Sequence, residues 1–148
     1  MDKTAWLAST KEEPVDPLEE IVDPHHHLWD FPTGTYLLPE LHDDTGSGHN
    51  VTQTVFIECG AGYRAEGPEY LRSVGEIEFV RAQAELSARQ EGAEIAAIVG
   101  FADLTRGEAV EEVLAAQENA GGGRFRGIRH ASAWDQSDEI RESHTKPP

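Results

Sequence analysis

Cysteine and basic side chains are both scarce in this sequence of 148 residues. Cysteine occurs once, as Cys59, so no disulfide can form within the chain, which suits a reducing compartment. No apolar run approaches the roughly 18 residues that a transmembrane helix needs. Residues Met1 to Glu20 mix charge, proline and small side chains and lack the apolar stretch of a secretory signal. The expected location is the cytoplasm. Lysine and arginine number 12 against 28 aspartates and glutamates, a net charge of −16. That surplus repels phosphate backbones and anionic lipid headgroups, which argues against nucleic-acid and membrane partners.

Hydrophobic residues make up 38% and charged residues 27% of the chain, proportions of a globular domain rather than a disordered one. The length fits one domain able to bury a core. Residues 1–20 read as an acidic lead carrying Pro14 and Pro17, and residues 21–148 as the folded part. A first short strand is expected at Ile21-Val22-Asp23, and a short helix starts near Leu37 and breaks at Thr45-Gly46-Ser47-Gly48. Val51 to Cys59 is β-branched and apolar and reads as a second strand. A helix follows over Val74 to Gln90, opened by an apparent capping box at Ser73-Val74-Gly75-Glu76. Ile95 to Phe101 is a continuous apolar run, the mark of a strand buried on both faces. Thr105-Arg106-Gly107-Glu108 resembles another capping box, its helix stopped by Gly121-Gly122-Gly123, and Phe125 to His130 forms the last strand.

Strands alternating with helices predict a parallel sheet with helical crossovers. A doubly wound nucleotide-binding sheet would carry a glycine-rich loop after its first strand, but Asp23-Pro24-His25 stands there instead. The fold class expected is therefore α/β, with about four βα units of a barrel. Each strand also ends in polar groups: His25 and His27, then Glu58 and Cys59, then Asp103, then Arg129 and His130. In parallel α/β folds the carboxyl ends of the strands are where active sites assemble.

The most informative stretch is Asp23-Pro24-His25-His26-His27-Leu28-Trp29-Asp30. Side chains two apart on a strand share a face, so His25 and His27 converge and His26 looks away. Two imidazoles at a strand end can hold a metal ion or polarise a substrate. Arg129 presents a guanidinium fork suited to a carboxylate, with a surface ion pair as its alternative role. By alternation His130 faces away from Arg129. Glu58 reads as either a ligand or a structural carboxylate, Cys59 as a small buried side chain, and Trp29 and Phe31 as pocket or core aromatics. Tyr63 and Arg64 sit in a loop within reach of a substrate.

This octapeptide resembles the opening motif of the amidohydrolase-related family, TIM-barrel metal-dependent hydrolases, with the D-x-H-x-H pattern carried by Asp23, His25 and His27. The resemblance continues through Phe56-Ile57-Glu58-Cys59-Gly60, Gly100-Phe101-Ala102-Asp103-Leu104 and Arg126-Gly127-Ile128-Arg129-His130-Ala131. The last of these is closest to the lactonase branch. The resemblance implies a hydrolase acting on a lactone or related ester of a carboxylated small molecule. His25 and His27 would bind a divalent metal, Zn or Mn, or act without one as in some relatives, and Arg129 would bind an anionic substrate. A (β/α)8 barrel needs about 250 residues, so the expected chain is the N-terminal half, truncated after strand four and lacking the family's later histidines and its terminal aspartate. Two further readings stand beside this one: a decarboxylase of the same superfamily, and a non-catalytic fragment that folds by pairing with its missing half or, as a homo-oligomer, with another copy.

Overall fold

The computed structural model describes residues 12–133 together with residues 6, 9, 135, 137 and 139. Most of the lead before Glu12 and the end of the chain, Lys146-Pro147-Pro148 included, lie outside the described residues. The protein is a mixed α/β structure. Strands β1 (Glu20–His26), β4 (Asn50–Ile57), β5 (Glu94–Gly100) and β6 (Phe125–Ile128) form one parallel sheet in that order. Between its first two strands lies an antiparallel hairpin of β2 (Trp29–Phe31) and β3 (Gly34–Tyr36). The helices are α1 (Leu38–Thr45), α2 (Val74–Ser87) and α3 (Val110–Ala120).

Strand order follows chain order without a reversal. When every crossover has the same hand, such a sheet carries all its helices on one face. The core matches this arrangement. Leu38 and Leu41 of α1 and Ile77, Val80 and Ala84 of α2 meet Phe56, Ile95 and Ile98 of the sheet in one buried cluster, flanked by Ala120 of α3. Gln117 of α3 is also fully buried, donating from Nε2 to Ser73 Oγ at 3.0 Å and to the Phe101 carbonyl at 2.6 Å. The opposite face, carrying Val22, Val55, Ile57, Ala97 and Val99 by strand alternation, is left partly exposed.

Several local expectations need correction. The run Ile95 to Phe101 is buried fully on one face only, because the helices cover one side of the sheet. Neither apparent capping box forms. Ser73 makes no cap and instead accepts a hydrogen bond from Gln117, while Glu76 turns into the protein. Thr105 to Glu108 lies in a 3-10 turn that Gly107 bends with φ 58°, and Asp103 caps that turn by accepting from the Thr105 amide. α3 accordingly begins at Val110. The first strand runs to His26 rather than stopping at Asp23. The Trp29–Tyr36 hairpin was not anticipated, since each of its strands is only three residues long.

Candidate active site at the carboxyl edge of the sheet

The site grows out of an irregularity in β1. Pro24 has no amide hydrogen, which an edge strand tolerates, and β1 is an edge strand. Its register against β4 jumps from Asp23↔Thr54 to His26↔Phe56. The His25 amide, drawn off the ladder, donates to Asp23 Oδ1 at 3.0 Å. His26 is thereby sent inward, 7% exposed and edge-on to Phe56 at 5.8 Å between ring centroids. Neither of its ring nitrogens has a partner among the described residues. Burial lowers its pKa to about 4, so it is neutral at physiological pH.

His25 and His27 meet on the other side, their Nε2 atoms 3.2 Å apart and their rings nearly perpendicular at 85°. His27 Nδ1 lies 2.7 Å from the Ile57 carbonyl oxygen. A carbonyl only accepts, so Nδ1 carries the proton and Nε2 presents a lone pair. For zinc–nitrogen bonds of about 2.0–2.1 Å, two nitrogens at this separation subtend roughly 100° at a shared ion, close to tetrahedral. The pair therefore fits two corners of a metal site. It does not complete one: catalytic zinc takes three protein ligands, and no group of three or more His, Cys, Asp or Glu suited to a metal occurs among the described residues.

Beside the histidines, between β1, the hairpin and α1, lies an open cavity of ≈ 420 Å³ bordered also by Asp23, Trp29, Tyr36 and Asp44. Trp29 stacks on Tyr36 at 5.0 Å, so it is a wall of this cavity, whereas Phe31 is 41% exposed. The Tyr36 hydroxyl donates to Asp44 Oδ2 at 2.6 Å. Burial and that carboxylate hold its pKa well above the usual tyrosine range.

Arg129 reaches the same edge from beyond β6. Its Nε donates to Glu58 Oε1 at 2.8 Å and its Nη2 to the Glu58 carbonyl at 2.7 Å. The surface ion pair foreseen for Arg129 is thus made, and it leaves Nη1 without a partner among the described residues. Two successive carbonyls at the end of β4, Ile57 and Glu58, therefore anchor His27 on one side and Arg129 on the other. His130 takes a different partner, accepting the Leu104 amide at Nδ1 and lying edge-on to Phe101. Cys59 donates its thiol to the Leu28 carbonyl at 3.3 Å, and burial pushes its pKa up to about 11, which leaves no thiolate for nucleophilic work. Tyr63 is partly exposed, and Arg64 is tied to Glu78 on α2.

Sequence reasoning missed Glu76. It is fully buried, and its Oε1 accepts the amides of Cys59 and Ala61, each at 2.9 Å, while Oε2 has no partner among the described residues. Burial raises its pKa above the ordinary glutamate value. The carboxylate pins the loop that follows Glu58, and so supports the residue that holds Arg129. The one signal available was a glutamate in a helix's first turn, which a capping role absorbed. Compared with known proteins, the chain matches no family model, no curated protein and no solved structure.

Proposed function

We propose that this chain is the four-unit, N-terminal part of a (β/α)8 barrel hydrolase of the amidohydrolase-related type, acting on a lactone or related ester of a carboxylated small molecule. The observation that carries this reading is the convergence of His25 and His27, Nε2 to Nε2 at 3.2 Å, at the carboxyl edge of a parallel sheet. A further support is the winding: strands added in one direction with helices on one face are what half a barrel requires.

In this reading His27, its tautomer set by Ile57, offers the Nε2 lone pair to a water or to an ion. A divalent ion such as Zn or Mn held by His25 and His27 would lower the pKa of a bound water. Arg129, oriented by Glu58, offers its remaining Nη1 hydrogens to the substrate carboxylate. The described residues contain no helix long and apolar enough to cross a membrane, and a cytoplasmic location is part of the proposal.

The test is metal content and turnover. Zn or Mn that the purified chain binds should be lost when His25→Ala and His27→Ala are combined; unchanged metal content refutes the ligand role. Hydrolysis across a panel of carboxylated lactones supports the substrate class. Release of carbon dioxide from an aromatic acid instead would replace hydrolase by lyase.

A further inference from the structure

We infer that the cavity between β1, the hairpin and α1 is a binding site for a small organic cation, an ammonium or guanidinium head on an apolar stem. Neither a metal ion nor Arg129 takes part, so the site stands or falls apart from the hydrolase reading. The cavity measures ≈ 420 Å³, within the range of small-molecule sites. All of its lining residues lie between Asp23 and Val51, so one continuous segment walls it.

Charge sets the sign of the ligand. Residues 23–51 hold Asp23, Asp30, Glu40, Asp43 and Asp44 and no lysine or arginine. Asp23 and Asp44 line the cavity. Burial raises the Tyr36 pKa first, and the charges of Asp44, Asp23 and Glu40 raise it further, so three carboxylates share its surroundings. A cleft lined by one sign of charge concentrates ligands of the other.

His26 is the independent observation that the cavity is built to hold something. It borders the cavity and is only 7% exposed, yet neither ring nitrogen has a partner among the described residues. Buried polar groups are ordinarily hydrogen-bonded, and its place on the wall makes a ligand there the partner within its reach.

The hydrogen-bond inventory then selects a donor. Asp23 Oδ1 accepts the His25 amide and Asp44 Oδ2 the Tyr36 hydroxyl, which leaves the second oxygen of each carboxylate without a partner among the described residues. The hydroxyl donors are already committed: Tyr36 to Asp44, and Thr45 to the Leu41 carbonyl at 2.8 Å. Even with one N–H on His26, acceptors outnumber donors on these walls. A carbohydrate brings acceptors with its donors and would leave its own oxygens unanswered, whereas an ammonium or guanidinium only donates. The stacked Trp29 and Tyr36 add an aromatic wall that attracts a cation, and Leu41 and Val51 suit its stem.

Isothermal titration calorimetry of the full chain, at neutral pH with a chelator present, tests the site with phenethylammonium and agmatine. At least one should bind, one per chain, and for phenethylammonium the uncharged counterpart, phenethyl alcohol, should bind on the order of tenfold more weakly. Asp44→Asn keeps an acceptor for Tyr36 but removes the charge, and should weaken cation binding on the order of fivefold. Asp43→Asn removes the same charge from an exposed neighbour that does not line the cavity, and should bind as wild type does. Circular dichroism checks that each variant is folded; Asp23→Asn, which likewise keeps an acceptor for the His25 amide, takes the place of an Asp44→Asn that is not. Failure of both cations to bind, equal binding of phenethyl alcohol, an Asp43→Asn loss as large as that of Asp44→Asn, or binding of an uncharged pentose in place of the cations each overturns the inference.

Discussion

Glu76 offers the sharpest test of how the site is held. Its side chain is fully buried in the first turn of α2, and its Oε1 alone satisfies the amides of Cys59 and Ala61. Truncation to alanine leaves two amides without an acceptor, at about 1–3 kcal/mol each when buried, and adds a small cavity. Ala61 is 1% exposed and Cys59 only half-buried, so a total near 3–5 kcal/mol is expected for Glu76→Ala. Glu76→Gln keeps both the shape and the accepting oxygen and removes the cost of burying a charge. It should therefore lie within about 1 kcal/mol of wild type, on the stabilised side at neutral pH. The two proteins should also differ in pH dependence. Burial raises the Glu76 pKa, so the folded state binds this proton more tightly than the unfolded chain does. Its contribution to stability is complete below the unfolded value of 4.5 and is lost as pH rises through the raised folded value. Wild type should thus gain on Glu76→Gln as the pH is lowered from 7 toward 4.5. Urea unfolding followed by circular dichroism measures all of this. An alanine variant within 1 kcal/mol of wild type, or a glutamine variant whose gap to wild type ignores pH, refutes the assignment.

Two further predictions concern neighbouring groups. Burial depresses the His26 pKa from 6.5 to about 4, so the folded state resists a proton that the unfolded chain accepts. The chain should therefore lose about 3 kcal/mol from this group as pH falls between those values. His26→Leu, compared with wild type by urea unfolding in the presence of a chelator, should remove that part of the acid sensitivity; parallel pH profiles would show that His26 is not held neutral. At Gly100, an added Cβ would sit 2.7 Å from both Gln117 Oε1 and Ile77 Cδ1. Gly100→Ala should cost about 1–3 kcal/mol, and a thermal midpoint equal to wild type would mean that α2 and α3 do not close on β5 as described.

How much could be read in advance follows from the range of each interaction. The β4 and β5 strands and the helix before β5 were legible because β-branched runs and helical spacing are local signals set by backbone sterics and burial. The hairpin was not, because strands of three residues carry too few alternations to register, and its Trp29–Tyr36 stack joins side chains seven positions apart. Helix starts were misread for a related reason. Ser73 and Glu76 have the spacing of a capping box, but Gln117 and the amides of Cys59 and Ala61 compete for them, and burial favours those partners.

For the candidate site, the sequence by itself determined which chemistry was at hand: two imidazoles with the alternation to converge, a glutamate and an arginine at strand ends, and too few basic groups for a polyanion. Only the tertiary structure decided how those groups are set. Ile57 fixes the His27 tautomer, Glu58 occupies one edge of the Arg129 fork, and the Asp23–His26 register jump drives His26 into the core. These are contacts between residues 30 to 71 positions apart, or the product of a strand pairing, and they exist only once β1, β4 and β6 lie in one sheet. Local pattern specifies elements because its forces act within a few residues; a proton's position or a fork's free edge is set by whatever the fold brings against it.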